Sequence, residues 1–388
     1  MRVPFIDLAA QQAEIAAEVL PAWEQLFATA GFIGGDHVVG FEREYADFIG
    51  VDHCVGVANG TDAVELALRA VGVRLGDEVI IPVNTFIATA EAVSRIGAVP
   101  VFVDVDPDYL LIDPAAVEDA ITTRTRAIVP VHLYGQTAPM DAIIPLAQRH
   151  GLVIVEDAAQ SQGASSSVGR AGGLGLVAAT SFYPGKNLGA AGDAGAVLTD
   201  DPAIAEMVRS LSAHGSSVKY VHDRVGMNSR LDAVQAVVLR AKLRRLDTWN
   251  VARRAAAVRY AELLANVPDV RVPPVRVGNE DVWHLYVVQV EERDRVLSEL
   301  GAAGVGVGIH YPTPLHLTGA YTGRGSAGRG SAGRDYQQGQ FPVAEAAAAR
   351  ILSLPMFPHI TAAQQSFVAD CLAQVVATVA RKEDVGVR

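Results

Sequence analysis

The sequence of 388 residues contains only two cysteines, Cys54 and Cys371, which lie far apart and lack CxxC spacing. Their scarcity excludes a disulfide framework and a cysteine-based metal site, so we expect no metal and a reducing cytoplasm as the compartment. Long apolar runs are also absent. Half of the residues are hydrophobic, but no uncharged apolar run approaches the roughly 18 residues of a membrane span. Asp7 comes too early in the sequence for a signal peptide.

Positive charge is in short supply as well. The chain has 32 lysine and arginine residues against 43 aspartate and glutamate residues, which gives a net charge of −11 at pH 7. Such an acidic chain argues against broad nucleic-acid binding, although it leaves room for a local basic pocket that binds a small anionic substrate. The length predicts one large domain and one smaller domain rather than a single core.

Between residues 50 and 200, short apolar runs alternate with segments of helical periodicity. The predicted strands cover residues 53–57, 78–82, 99–103, 127–130, 153–156, 178–182 and 194–199. The predicted helices cover residues 62–71, 89–96, 114–121 and 140–150. This alternation is typical of an α/β fold with a mostly parallel sheet covered on both faces. Ligands of such sheets bind beyond the carboxyl ends of the strands.

The second half of the chain is organised differently. Residues 229–265 have helical spacing and connect a predicted large domain, residues 1–248, to a small C-terminal domain, residues 249–388. In the small domain we expect strands at 270–272 and 284–290, and helices at 294–303 and 342–352. Residues 323–334 form a five-residue repeat of glycine, arginine, serine and alanine. The repeat predicts a flexible, solvated loop, which we favour over a nucleic-acid-binding segment.

Lys186 stands in the run SFYPGKNLG, followed at once by a glycine-rich stretch. An amine that forms a Schiff base needs a partly desolvated setting of this kind, which lowers its pKa. Taken alone, the same lysine is better explained as a surface residue in a flexible loop. The rest of the sequence must decide between these alternatives.

A phosphate-binding site is predicted where residues 59–62 (NGTD) connect a strand to a helix. The backbone amides of Gly60 and Thr61 then point from a positive helix N-terminus, and Thr61 adds a hydroxyl group. Ser181, just before Lys186, offers a second hydroxyl group. The alternative is an ordinary N-cap turn with no ligand.

An acidic residue and an aromatic residue complete the pattern. Asp157 follows a predicted buried strand, where a carboxylate keeps a pyridine nitrogen protonated so that the ring can accept electrons. Gln160 follows three residues later and is placed to bond the phenolic oxygen of such a ring. Phe86, after another strand, suits stacking on it. The alternatives are a helix N-cap for Asp157 and a core position for Phe86.

With these residues in this order, the chain resembles the sugar aminotransferases of the DegT/DnrJ/EryC1/StrS family, which depend on pyridoxal 5'-phosphate (PLP) and have the type I aspartate-aminotransferase fold. The resemblance runs from residue 4 to about residue 359. It is carried by residues 4–8 (PFIDL), 75–82 (LGDEVIIP), 130–135 (PVHLYG), 156–160 (EDAAQ) and 228–232 (NSRLD). The glycine-arginine repeat departs from the family pattern.

The resemblance implies a role for each matching residue. Lys186 would bind the cofactor covalently and move the proton, and Asp157 would contact the pyridinium nitrogen. The implied cofactor-binding residues are Gly60, Thr61, Phe86, Asp157, Gln160, Ser181, Lys186 and Asn228. Asn228 matches an asparagine that reaches the phosphate from the other subunit, which implies a homodimer with shared active sites.

The resemblance also implies the substrates, L-glutamate as amino donor and a keto sugar carried on a nucleotide diphosphate as acceptor. Candidate substrate contacts are Tyr183, His214, Lys219, Tyr220, Arg230, His310, Tyr311 and His316. The runs YPGK before Lys186 and HYP at 310–312 favour amination of a dTDP-3-keto-6-deoxyhexose at C-3, with C-4 amination as the alternative. Lys186 argues against the dehydratases of this superfamily, which have histidine there, and against a non-catalytic PLP-binding module.

Overall fold

The computed structural model describes residues 1–322 and 336–386, with side chains through residue 378. The predicted flexible loop at residues 323–334 lies outside the described residues. Within them, no helix combines the length and the apolar composition that crossing a membrane requires.

Helices and strands alternate along most of the described chain. The helices are α1 (Leu8–Thr29), α2 (Asp36–Ile49), α3 (Gly60–Ala70), α4 (Ile87–Arg95), α5 (Pro114–Ala120), α6 (Met140–His150), α7 (Pro202–Ser212), α8 (Ala233–Leu243), α9 (Leu246–Leu264), α10 (Arg293–Ala302), α11 (Pro342–Arg350) and α12 (Ala362–Gly386). The strands are β1 (His53–Val57), β2 (Glu78–Pro82), β3 (Val99–Val103), β4 (Thr125–Ile128), β5 (Val153–Asp157), β6 (Ser165–Ser166), β7 (Gly169–Arg170), β8 (Val177–Ser181), β9 (Gly195–Thr199), β10 (Ser216–Val218), β11 (Val221–His222), β12 (Val270–Arg271), β13 (Tyr286–Val290) and β14 (Ile351–Leu354).

A seven-stranded sheet in the order β1-β9-β8-β5-β4-β2-β3 forms the centre of the larger part. The five strands from β8 to β3 pair in parallel, and β9 runs antiparallel to both of its neighbours. The prediction of an α/β fold with a mostly parallel sheet is therefore confirmed. Because β9 is antiparallel to both neighbours, β1 runs in the same direction as β8. The carboxyl end of β1, where the chain enters α3, therefore lies at the same edge of the sheet as the carboxyl ends of β5 and β8.

The sheet is covered on both faces because successive side chains of each strand point in opposite directions. In β2, Val79 and Ile81 pack with α3, α4 and α7 in one apolar cluster. Ile80 between them packs on the other face in a cluster with α5 and α6. Near β1 and β9, that second face is covered by α1, α2 and α8, with Phe41 and Tyr45 fully buried. Burial on both faces explains why these strands have continuous apolar sequences.

A three-stranded antiparallel sheet, β12-β13-β14, forms the centre of the second part. Its apolar cluster joins α9, α10 and α12. The N-terminus also belongs here, because Val3 is buried in this cluster and Val3 N–H donates to Gly304 O at 2.9 Å. The expected domain boundary at residue 248 falls near the start of α9.

Two sequence predictions in this region need correction. Residues 342–352 were predicted as one helix, but α11 ends at Arg350 and Ile351 begins β14. The apolar residues of β14 pair with β13, with Leu354 opposite Tyr286. Only this pairing shows that they form a strand. Residues 229–265 contain two helices, α8 and α9, with Ser229–Asp232 outside them. Helices α1, α2, α7 and α12 were not predicted.

Candidate active site

A cavity of about 510 Å³ opens at the carboxyl ends of β1, β2, β5 and β8. An open parallel sheet binds its ligands in this position. The cavity is lined by Phe5, Ile6, Asn59, Gly60, Thr61, Val64, Thr85, Phe86, Ala88, Thr89, Val131, Asp157, Ala159, Gln160, Ser181, Tyr183, Gly185, Lys186, Asp193, His284, Leu285, His310, Tyr311 and Met356.

The N-terminus of α3 forms one wall of this cavity. Asn59 caps the helix, since its side chain accepts a hydrogen bond from Asp62 N at 2.8 Å. The first-turn amides of Gly60 and Thr61 have no acceptor within the helix and carry its positive end. A Cβ atom on Gly60 would lie 2.5 Å from Ser181 Cβ. Only glycine permits this close approach, which places Ser181 beside the helix N-terminus.

Asp157, at the end of β5, is buried and held from two sides. Thr89 Oγ1 on α4 donates to Asp157 Oδ2 at 2.7 Å, and Ala159 N donates to Oδ1 at 3.2 Å. Thr85 Oγ1 lies 3.1 Å from Thr89 Oγ1 and extends this chain of hydrogen bonds. No helix begins after Asp157, so the alternative of a helix N-cap does not apply. The carboxylate is fixed in orientation and lines the cavity.

Below Asp157, a buried pair fixes the end of β5. His132 Nδ1 accepts from Ala138 N at 3.0 Å, so its Nε2–H donates to Glu156 at 2.8 Å. Glu156 also accepts from Gly172 N and Gly175 N. Burial raises the pKa of Glu156, but the hydrogen bonds from His132 and from the backbone N–H groups outweigh it, so its pKa lies below the ordinary value. The strand therefore presents Asp157 from a rigid base.

Lys186 lies in a turn after β8, where its backbone N–H donates to Tyr183 O at 2.8 Å. Burial lowers the pKa of its amine to about 8, while the Asp157 carboxylate acts in the opposite direction. Within the described residues its Nζ makes no hydrogen bond or ion pair. With this pKa about a tenth of the amine is neutral at pH 7, far more than for an ordinary lysine, so a free neutral amine is available as a nucleophile or base requires.

Gln160 and Phe86 are both at the cavity. Gln160 Oε1 accepts from Tyr134 N at 2.7 Å, and its Nε2 donates to the Tyr311 hydroxyl at 3.1 Å. Phe86 is 52% exposed, so it is not a core phenylalanine, and its ring centroid lies 5.4 Å from that of Tyr311. Burial raises the pKa of Tyr311, as does the Asp157 carboxylate, so its hydroxyl stays protonated.

The expected substrate contacts divide into two groups. Tyr183, His310 and Tyr311 line the cavity. His214, Lys219, Tyr220, Asn228 and Arg230 are exposed and do not line it.

His316 does not line the cavity either. It is completely buried, and its Nε2 lies 3.0 Å from Glu345 Oε1. The short 3₁₀ helix Leu315–Leu317 turns it away from Lys186 and packs it against Phe341. The expectation that His316 faces the substrate therefore does not fit its position.

Among the cavity residues not predicted from the sequence are three with side chains that can bind or ionise. Thr89 was predicted as the first residue of a helix, and its contact with Asp157 spans 68 residues of chain. His284 was predicted as the start of a strand, and Asp193 stands among glycines. A motif search could not find them because each lacks a local signature. Over residues 1–322 and 336–386, no group of three or more histidine, cysteine, aspartate or glutamate side chains could hold a metal ion.

The model of the DegT/DnrJ/EryC1/StrS aminotransferase family matches residues 13–373. The chain belongs to this family. It is 47% identical over 373 residues to the dTDP-3-amino-3,4,6-trideoxy-alpha-D-glucose transaminase of Streptomyces venezuelae, with 96% of each chain covered. It is 48% identical to the erythromycin biosynthesis sensory transduction protein EryC1 of Saccharopolyspora erythraea, over 93% of this chain and 96% of the relative.

A solved structure gives the same result. The crystal structure of S. venezuelae DesV in complex with a ketimine intermediate superimposes with a TM-score of 0.91 at 47% identity, covering 96% of this chain and 98% of that one. The predicted family and fold are confirmed, as is the prediction of an aminotransferase. Dependence on PLP is confirmed at the level of the family.

Proposed function

We propose that the chain transfers an amino group from L-glutamate to C-3 of a dTDP-3-keto-6-deoxyhexose, with PLP as cofactor. The reaction belongs to the biosynthesis of a deoxyaminosugar that is part of an antibiotic. One observation carries the proposal: a single cavity brings the free amine of Lys186 together with the Asp157 carboxylate and the N-terminus of α3. The S. venezuelae relative, named as a dTDP-3-amino-sugar transaminase, supports the sugar and its C-3 position.

The residues of the cavity fit this cofactor. The free first-turn amides of Gly60 and Thr61, with the hydroxyls of Thr61 and Ser181, would hold its phosphate, since a helix N-terminus favours an anion. Asp157, fixed by Thr89, would hold a proton on the ring nitrogen. The second N–H of Gln160 Nε2 would reach the phenolic oxygen, and the exposed face of Phe86 would cover the ring.

When bound, PLP supplies an electron-withdrawing ring that takes up the electron pair of the broken C–H bond. Lys186 carries the proton: as a neutral amine it removes the proton from the donor carbon, and as an ammonium group it returns one to the sugar carbon. A pKa of about 8 suits both directions, because the amine and the ammonium form are both populated near neutral pH. The Asp157 carboxylate would stabilise the positive charge of the ring.

The sugar nucleotide would enter past Tyr183, His310 and Tyr311 at the cavity. Its diphosphate needs positive charge, yet Lys219 and Arg230 lie exposed and away from this cavity. We therefore assign Lys219, Tyr220, Asn228 and Arg230 to the cavity of a second subunit, which makes the enzyme a homodimer with two shared sites. Asn228 would complete the phosphate site there.

The proposal includes three further statements about the whole protein. The large domain comprises residues 1–248 and the small domain residues 249–388, each with its own sheet. The enzyme works in the cytoplasm, in keeping with its two unpaired cysteines. Neither nucleic acid nor a membrane takes part.

The test is a substrate panel. The purified protein is incubated with PLP, L-glutamate and, separately, 3-keto and 4-keto dTDP-sugars, and the products are identified by mass spectrometry and NMR. We expect 2-oxoglutarate and a 3-amino sugar. A 4-amino sugar would replace the C-3 assignment with the C-4 alternative, and the absence of any amino sugar while glutamate is consumed would contradict the proposed acceptor class.

A further inference from the structure

His284 lines the cavity beside Lys186, and its backbone is held on several sides. Val282 N donates to Gly135 O at 3.0 Å, and Leu285 N donates to Tyr134 O at 3.1 Å. On the other side, Arg253 Nη1 donates to Trp283 O at 3.0 Å. The segment that carries the His284 ring is therefore fixed, and its ring position does not depend on a bound ligand.

The neighbouring Asn187 determines which ring nitrogen of His284 carries the proton. Asn187 Nδ2 donates to Val282 O at 2.8 Å and to Asn250 Oδ1 at 2.9 Å. A carbonyl such as Val282 O only accepts, so the amide of Asn187 cannot be reversed. Its Oδ1, 3.2 Å from His284 Nδ1, must then be the acceptor. His284 carries its proton on Nδ1, and Nε2 keeps a lone pair.

This lone pair has no protein partner within the described residues. Burial lowers the pKa of His284 well below its ordinary value, and the positive charges of Lys186 and Arg253, together with His310, act in the same direction. The ring thus stays neutral at physiological pH. Its Nε2 accepts a hydrogen bond but does not take up a proton.

We propose that His284 is a positioning residue for Lys186: its Nε2 accepts a hydrogen bond from the Lys186 ammonium group whenever that amine is free and protonated. The assignment rests on the proposed function. It gives the amine a fixed place opposite Asp157 while a substrate occupies the cavity. No proton moves to His284 in this arrangement, so Lys186 keeps the proton that it later returns.

The first measurement uses the unaltered protein. In the cofactor-free full-length chain labelled with ¹⁵N-histidine, where Lys186 is free to titrate, the His284 signals should show a protonated Nδ1 and an unprotonated Nε2 from about pH 6 to pH 9. The Nε2 signal should shift as Lys186 titrates. A protonated Nε2 in this range would overturn the proposal, and this result does not depend on the folding of any variant.

The second measurement compares two variants. His284→Asn keeps an N–H group toward Asn187 but lacks the distant acceptor, whereas His284→Gln places an amide oxygen near the position of Nε2. The chain has four lysines, Lys186, Lys219, Lys242 and Lys382. Methylation with ¹³C-formaldehyde therefore gives few NMR signals, and Lys186→Arg identifies the one of interest.

In the cofactor-free full-length chain, His284→Asn should lower the pKa of Lys186 by about one unit, because the ammonium form loses its acceptor. In the complete enzyme, kcat should fall about 10- to 100-fold, with KM for glutamate little changed. His284→Gln should recover most of both effects. Equal pKa values of Lys186 in all three proteins, or equal losses in both variants, would overturn the proposal.

The titration of Lys186 does not require transamination. If it behaves as expected while the substrate panel yields no amino sugar, the proposed function fails and the contact between His284 and Lys186 stands. If amino transfer occurs but the pKa of Lys186 is the same in the wild type and both His284 variants, the contact between His284 and Lys186 fails and the proposed function stands.

Discussion

The cavity and the exposed segment at residues 214–230 differ in how many of their side chains are held in place by contacts within one chain. Around Lys186, several polar groups have positions fixed by a strand end, a helix N-terminus or a buried hydrogen bond, as with Thr89 and Asp157. In the exposed segment, Tyr220 is 82% and Val225 is 83% exposed. Lys219 Nζ there has a ring contact, 5.1 Å from the centroid of Tyr220.

The difference teaches which part of the site one chain can build. The cavity is formed by one chain, so the groups proposed to hold the cofactor, apart from Asn228, belong to the fold of that chain. The exposed segment presents the large apolar side chains of Tyr220 and Val225 to solvent close together in the sequence, as a surface that a partner covers does. Four experiments test this distinction.

The largest effect is expected for Lys186→Ala. Removing the one lysine amine that lines the cavity among the described residues should lower transamination by about 10⁴-fold, because proton transfer loses its positioned base. The assay is formation of 2-oxoglutarate, and borohydride reduction should no longer attach the cofactor to the protein. Lys242→Met is the matched control: burial also lowers the pKa of Lys242 to about 8, but this residue lies on α8 outside the cavity. If this control lost activity to the same degree, the special role of Lys186 would be refuted.

A smaller loss is expected for Asp157→Asn. Without the negative charge, kcat should fall about 100- to 1000-fold, as for other groups that stabilise charge in a water-excluded site. Thr89→Val removes only the hydrogen bond that orients the carboxylate and should cost about tenfold. Steady-state kinetics with circular dichroism as a folding control gives both values. A larger loss for Thr89→Val than for Asp157→Asn would contradict this order.

Mixed dimers test the exposed segment. Lys186→Ala and Asn228→Ala proteins are each expected to be impaired, but a mixed dimer regains one intact site if Asn228 acts in the partner's cavity. Random mixing should then restore about a quarter of wild-type activity. The measurement is turnover before and after unfolding and refolding the two variants together. If activity stayed at the level of the separate variants, Asn228 would not act across a dimer.

The smallest effect is on stability. Gly60→Ala places a Cβ atom 2.5 Å from Ser181 Cβ and should lower the free energy of unfolding by about 1–3 kcal/mol. Cofactor affinity should fall as well. In Gly185→Ala the nearest atom is Tyr183 Cε1 at 3.5 Å, an ordinary contact, so this control should unfold like the wild type in urea. Equal stability of the two variants would show that the close approach at Gly60 is not required.

Much of the large sheet was predictable because its strands are short apolar runs between helices. The predicted bounds of β1, β2 and β3 agree with the structure. The ends of β5 and β1 also located Asp157 and Gly60 at the cavity, since the carboxyl ends of parallel strands lie at one edge of a sheet.

The remaining residues depend on contacts that are distant in the sequence. His284 reaches Asn187 across 97 residues. His316 was predicted to contact the substrate, but the 3₁₀ helix after Pro314 turns it into the core. β14 resembles a helix end until its pairing with β13 is known. Such features follow from tertiary packing, which local periodicity does not describe.

Residues 3–6 form an N-terminal strap along the cavity, which has a practical consequence for protein engineering. Phe5 and Ile6 line the cavity, and the ring of Phe5 stacks on His310 with centroids 5.6 Å apart. Val3 anchors the strap by backbone hydrogen bonds to Gly304 and Gly306. Met1, in contrast, is 67% exposed. An affinity tag can therefore be attached before Met1 without displacing the strap, whereas proteolysis after Ile6 would remove part of the cavity wall and leave the sheets intact.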